Sequence, residues 1–299
     1  MILLTGVTGK SGRWFLNQIL EDSKTSTPQR YRALVRSTSN CTALDKHPAV
    51  IEKKCGDLND ATFLHEAMEG VSTVFHVAGI HTSLKLVQVA ASHGVKRIVL
   101  VHTTGIYSKY KTANGDYLEI ERQINEIAKA QDIRLTILRP TMIYGSIKDN
   151  NVVVFIKMVN KLKILPVVNH ANYLLQPVHE KDLGDAYFAV LKNLETTANK
   201  SYILSGKEPI LLIDMFRCIG KYLNKNTYFL SIPFPFAYSI AWTLYLLTLG
   251  KMDYREKVQR LVEDRAFSHA EASQDFGYSP MRFEEGIREE ITEYVASLG

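Results

Sequence analysis

The sequence predicts an α/β fold, a doubly wound parallel sheet with a smaller, mostly helical lobe. Three observations predict it. Short apolar runs alternate with amphipathic helical patterns through the first half of the chain. The first apolar run passes directly into a glycine-rich turn and then a helix. Past Gly145 the alternation weakens, and residues 207–299 read mostly as helix.

Taken in order, the predicted strands are Ile2–Thr5, Tyr31–Val35, Val50–Cys55, Thr73–Val77, Arg97–His102 and Leu135–Leu138. Helical patterns at Arg13–Glu21, Ala61–Met68, Leu84–His93 and Tyr117–Ala130 lie between most of them. Further on, a helix is expected at Val152–Leu162, a strand at Tyr173–Val178, a helix at Lys181–Leu191 and a strand at Ser201–Leu204. The expected division is a sheet domain of residues 1–145 and 180–206, and a substrate-binding lobe of residues 146–179 and 207–299. Ligands of such sheets sit at the carboxyl ends of the strands, so the residues following each strand are the ones to read for chemistry.

The 299 residues are 46% hydrophobic and 22% charged, an ordinary globular composition. A net charge of +5 without a long Lys/Arg block argues against nucleic acid and leaves a small molecule as the expected partner. Cys41, Cys55 and Cys218 lack metal-ligand spacing and read as reduced thiols, which points to the cytoplasm. No metal is expected. Met1 opens directly into a strand, so no signal peptide is expected. The apolar run 234–249 is short for a bilayer span and bounded by Pro233 and Gly250. A buried helix, a homodimer interface or a peripheral membrane contact is expected there.

In the glycine turn, Gly6 allows the tight bend, Gly9 lets a pyrophosphate approach and Gly12 lets the helix pack on the strand. Thr8, Lys10 and Ser11 complete the turn, and the helix N-terminus favours an anion. After the second strand comes Arg36-Ser37, where an acidic residue would select the ribose hydroxyl of NAD. A guanidinium suits a 2′-phosphate, so NADP(H) is preferred over NAD(H).

The spacing Thr5-Gly6-x-Thr8-Gly9-x-x-Gly12 resembles the short-chain dehydrogenase/reductase superfamily in its extended and atypical branches. Gly56-Asp57-Leu58, Val77-Ala78-Gly79, Leu138-Arg139-Pro140-Thr141 with Ile143-Tyr144-Gly145, and His179-x-x-Asp182 continue the resemblance, as does the Asp275–Gly286 tail. It implies a Rossmann-like fold that binds NAD(P). It also implies that Asp57 and Leu58 contact the adenine, that Val77, Ala78 and Gly79 line the cofactor, and that Pro140, Thr141 and Ile143 lie beside the nicotinamide.

The family's chemistry uses a Ser or Thr after the fifth strand and a Tyr-x-x-x-Lys pair on the next helix. Thr103 and Tyr117 match the first two, but Glu121 stands in the lysine position. Tyr117 and Glu121 share a helix face, and a carboxylate there opposes phenolate formation. Asp116 and Glu119 suggest a capping box at that helix start. Tyr107-Ser108-Lys109-Tyr110-Lys111 offers a second tyrosine–lysine set, from which Lys109 or Lys111 would replace the missing cation. His81 faces the substrate or fills a structural place, and His102 reads as core. Two functions follow. One is an oxidoreductase or epimerase acting on a small carbonyl or nucleotide-sugar, with a dehydratase disfavoured because Thr104-Gly105 follows Thr103. The other is an NADP(H)-binding redox sensor, or a regulatory or assembly protein, without catalysis.

Overall fold

A computed structural model describes residues 1–25, 29–110 and 114–298. Among them, seven parallel strands form the central sheet in the order β11-β6-β5-β4-β1-β2-β3. These are β1 (Ile2–Thr5), β2 (Tyr31–Val35), β3 (Ile51–Cys55), β4 (Thr73–His76), β5 (Arg97–Val101), β6 (Arg134–Pro140) and β11 (Lys200–Leu204). The register pairs Leu4 with Ala33 on one side and with Phe75 on the other. Successive residues of a strand point to opposite faces, so both faces must be apolar to be covered. Leu4, Phe75 and Val99 join one core with Phe15 and Tyr187, whereas Leu3, Val74 and Ile98 join another with Leu86 and Ile124.

The helices that supply these partners are α1 (Lys10–Asp22) and α7 (Glu180–Lys192) on the first face, and α3 (Ala61–Ala67), α4 (Ser83–Ser92) and α5 (Asn114–Ala130) on the second. A single turn, α2 (Thr42–Asp45), follows β2. The chain runs from β1 outward to β3, then crosses back to β4. That reversal opens a crevice at the carboxyl ends of β1 and β4, where such sheets bind ligands.

The remaining chain builds a third core around Tyr144, Ile156, Leu165, Phe216, Phe283 and Ile287. Its helices are α6 (Val152–Lys161), α8 (Leu212–Leu223) and α12 (Phe283–Ala296). Three small pairs complete it: β7 (Ile143–Tyr144) with β10 (Val178–His179), β9 (Leu174–Leu175) with β12 (Ile210–Leu211), and β8 (Ile164–Val168) with β13 (Tyr228–Ile232). From β13 the chain enters α9 (Phe234–Leu247) and then α10 (Arg255–Arg260). The last short helix, α11 (Ala270–Phe276), packs Ala272 and Phe276 into the first sheet core, not the third.

Two local expectations change. The helix expected from Tyr117 begins at Asn114, and Glu119 pairs with Arg122 and Gln123 instead of closing a capping box. The strand expected at Tyr173–Val178 is split into β9 and β10, because its two ends pair with different partners.

Candidate functional site

The site is built from the glycine turn outward. Gly6 has φ +71°, and a Cβ there would lie 2.7 Å from the Ala78 nitrogen. Gly12 is tighter still, since its Cβ would fall 2.0 Å from the Gly6 carbonyl oxygen. Segment 6–12, which includes the start of α1, is thereby folded tightly on itself and drawn against segment 77–79. Gly9 stands at the N-cap of α1 in extended backbone, no side chain caps the helix, and no acidic residue occupies its first turn. An uncapped helix start beside an exposed Lys10 fits a pyrophosphate. Ser11 is buried and its hydroxyl lies 3.5 Å from that of Tyr187, so only its backbone faces the turn.

The floor of the crevice is a buried polar network. His76 lies 2.7 Å from the Thr5 hydroxyl through Nδ1 and 3.0 Å from the Gly79 carbonyl through Nε2. Burial pushes its pKa down to about 4, so the ring is neutral and Nε2–H donates to the carbonyl. Gly79, at φ +101°, also accepts from Thr82 and Ser83. Asp57 accepts from the Asn59 backbone and side chain in a local turn, and Leu58 packs on the second sheet core. Val77 packs on the first. Arg36 and Ser37 are exposed at the end of β2.

Two cavities flank the turn, and Lys10 lines both. One, of about 940 Å³, runs along α1 past Arg13, Lys46 and Lys148. The other, of about 700 Å³, brings together Thr103, Thr104, Tyr107, Lys109, Pro140, Thr141 and Ile143. Thr103 accepts a hydrogen bond from the Gly105 N–H at 3.0 Å, and Thr104 donates to the Pro140 carbonyl. Tyr107 is half exposed, with its ring against Phe267 and the Arg139 guanidinium 5.9 Å from its centroid. The Glu263 carboxylate accepts from the Ser108 hydroxyl and the Lys109 N–H, fixing the backbone of this segment.

Tyr117 does not line this cavity. It is 7% exposed, packed with Ile80, Ile106 and Ile120 and 5.4 Å from the His81 ring. Lys111 lies outside the described residues. Glu121 reaches the strand ends: its carboxylate accepts from His102 Nδ1 at 2.9 Å and from Arg139 at 2.5 Å. Burial would raise Glu121, but the His102 and Arg139 contacts hold its pKa below the usual range. His102 itself is pushed down by burial. The core reading of His102 missed this hydrogen-bonded role, and the motif reading missed Arg139 as the partner of Glu121.

Sequence reasoning also missed Arg260 and Arg265 on the cavity wall. The Nε of each is buried without an acceptor among the described residues. Burial and the neighbouring Arg260 bring Arg265 down to about 10. Nothing in their sequence spacing marked them, and only the fold places them on the cavity that Thr103 also lines.

A family model described as NAD(P)H-binding matches residues 6–161, just over half of the chain, including the glycine turn, the 77–79 loop and the 103–109 and 140–143 walls of the cavity. The chain belongs to the NAD(P)H-binding family. It is similar to subunit 9 of the NADH dehydrogenase [ubiquinone] 1 alpha subcomplex, mitochondrial, of Arabidopsis thaliana, at 25% identity over 170 residues. That match covers 56% of this chain and only 41% of the plant protein. The NAD(P)H-binding fold is shared with the UDP-glucose 4-epimerase of Thermotoga maritima at TM-score 0.74 and 15% identity, over 100% of this chain and 99% of that one. It is also shared with the dTDP-glucose 4,6-dehydratase of Streptomyces venezuelae at TM-score 0.70 and 18% identity, over 99% and 97% of the two chains.

Proposed function

We propose that this chain is an NADP(H)-dependent oxidoreductase or epimerase of the atypical or extended short-chain dehydrogenase/reductase type, acting on a small carbonyl or nucleotide-sugar substrate. The cavity that Lys10 of the glycine turn shares with Thr103, Tyr107 and Lys109 carries this reading. Gly6, Gly9, Gly12 and Lys10 would hold the pyrophosphate, and Arg36 would select a 2′-phosphate. The dinucleotide, when bound, gives or takes up a hydride.

The chain's own residues supply the rest. Thr103 accepts from Gly105, which leaves its hydroxyl proton to orient a substrate carbonyl oxygen. Tyr107 carries its phenol into the cavity and takes the proton-donor role expected of the buried Tyr117. Lys109 stands beside it on a backbone held by Glu263. Arg260 and Arg265, each with a buried Nε that has no acceptor among the described residues, favour an anionic substrate such as a nucleoside diphosphate sugar.

A second reading, an NADP(H) sensor or regulatory or assembly protein without catalysis, is favoured by one observation. Glu121 occupies the motif's lysine place and is committed to Arg139 and His102. The curated relative, named as a subunit of a larger complex, is in keeping with it. A panel of carbonyls and nucleotide-sugars, followed at the nicotinamide absorbance, separates the readings. Tyr107→Phe is expected to lower turnover by about 100-fold, as loss of a general acid does, and Tyr117→Phe to leave it within a few fold. The opposite pattern returns the role to Tyr117. NADPH binding with no turnover across the panel supports the second reading.

A further inference from the structure

Helix α9 is apolar on every side yet is not buried. Of its 14 residues only Ala241 is fully enclosed. Phe236 is 67% exposed, Ile240 54%, Leu246 56% and Leu247 77%, with Leu249 just beyond at 90%. The strands that lead into it continue the pattern: the register of β8 and β13 sets exposed Ile164 beside exposed Tyr228, and Pro166 beside Leu230. A helix that is apolar all round belongs in a core or in hydrocarbon, not in water. So much contiguous exposed apolar surface marks an interaction site.

We infer that α9 and its connection to α10 dip into one leaflet of an anionic lipid bilayer. Two features select lipid over a protein partner. First, the aliphatic hydroxyls of the helix need nothing from water. Ser239 donates to the Pro235 carbonyl and Thr243 to the Ser239 carbonyl, and Thr248 just past the helix donates to the Leu244 carbonyl. The polar groups left, on Tyr238, Trp242 and Tyr245, belong to the amphipathic side chains that suit a headgroup boundary. A specific protein interface would use such groups for cross-chain bonds. Second, the charge beside it suits anionic headgroups. The only acids between residues 225 and 262 are Asp253 and Glu256, paired with Arg255 and Arg260. Lys251 and Lys257 stay exposed, without an ion pair among the described residues, and Lys161 and Lys163 flank β8. Arg255 lies 3.8 Å over the Tyr245 ring and 4.6 Å over Trp242, tying the aromatic face of α9 to its basic end. Among the described residues no helix is long and apolar enough to cross a membrane. At ~21 Å, α9 reaches into a leaflet without spanning the ~30 Å hydrocarbon core.

The test uses the full chain with phosphatidylcholine vesicles, with and without phosphatidylglycerol. Cosedimentation is expected with the anionic vesicles and to weaken at high salt. Trp242 emission is expected to shift to the blue, a shift that Trp242→Phe removes. Leu246→Asp with Leu247→Asp, at exposed positions that leave the fold intact, is expected to weaken partition by at least about tenfold. Two results overturn the inference. One is a chain that stays in solution with both vesicle types, or whose double variant binds as well. The other is a dimer that the double variant dissociates while vesicles leave Trp242 unshifted, which would make this face a contact between copies of the chain.

Discussion

Glu290 is fully buried on α12, with Asp149 beside it and its Oε2 accepting from the Gly145 N–H at 3.0 Å. Its other oxygen and the Asp149 Oδ2 have no partner among the described residues. One proton held between them satisfies both, and burial together with the Asp149 charge pushes the Glu290 carboxyl well above 4.5. The folded chain therefore binds a proton that the unfolded chain releases, and stability falls as pH rises from about 4.5 toward the raised value. Glu290→Gln keeps a donor without a titrating charge. The variant is expected to stabilise the fold by about 1–3 kcal/mol at pH 8 and by little at pH 5. Urea unfolding at the two pH values measures it. A variant less stable at both would mean that Glu290 is ionised and paired.

Helix α5 carries the main departure from the family pattern, and its register decides what that departure means. Glu121 faces the ends of β5 and β6, where it is shared by His102 and Arg139. Restoring the motif with Glu121→Lys is therefore expected to fail. It sets a second positive charge beside Arg139, next to a buried His102 that loses its acceptor, at a cost of about 3–5 kcal/mol, the usual result of breaking a buried pair from one side. Thermal unfolding reads the loss, and a variant that gains turnover at native stability would reverse the assignment. This contact was not readable from the motif because its partners come from strands well before and well after Glu121 in the chain. What could be read was local. Most of the six strands up to β6 were visible because short apolar runs there are bounded by turns and alternate with helical patterns, and the glycine turn because spacing alone defines it. The start of α5 was misplaced because Tyr117 resembled a motif position while the helix begins three residues earlier. The β8–β13 pair stayed hidden because Pro166 argues against a strand and one face is apolar yet exposed. The burial of Tyr117 under Ile80, Ile106 and Ile120 was likewise beyond the sequence, because spacing carries no burial and the motif match pointed to Tyr117 over the exposed Tyr107.

At the scale of the whole molecule, the glycine turn is where cofactor binding and folding stability meet. Segment 6–12 joins β1, α1 and the 77–79 loop, so a ligand held there favours the folded state alone. A dinucleotide at 100 times its dissociation constant stabilises by about 2.7 kcal/mol. With an unfolding entropy of about 2.1 cal/mol/K per residue over the 299 residues, this corresponds to a rise in melting temperature of about 4 °C. If Arg36 selects the 2′-phosphate, NADH at the same concentration binds about tenfold more weakly and raises it by only about 2 °C. Arg36 is exposed and Arg36→Ala leaves the apo fold unchanged, so the difference between the two ligands is expected to shrink in that variant while the NADH shift persists. Equal shifts with NADH and NADPH in the native chain would remove the NADP(H) preference. No shift with either would show that the turn, although shaped for a pyrophosphate, does not hold one.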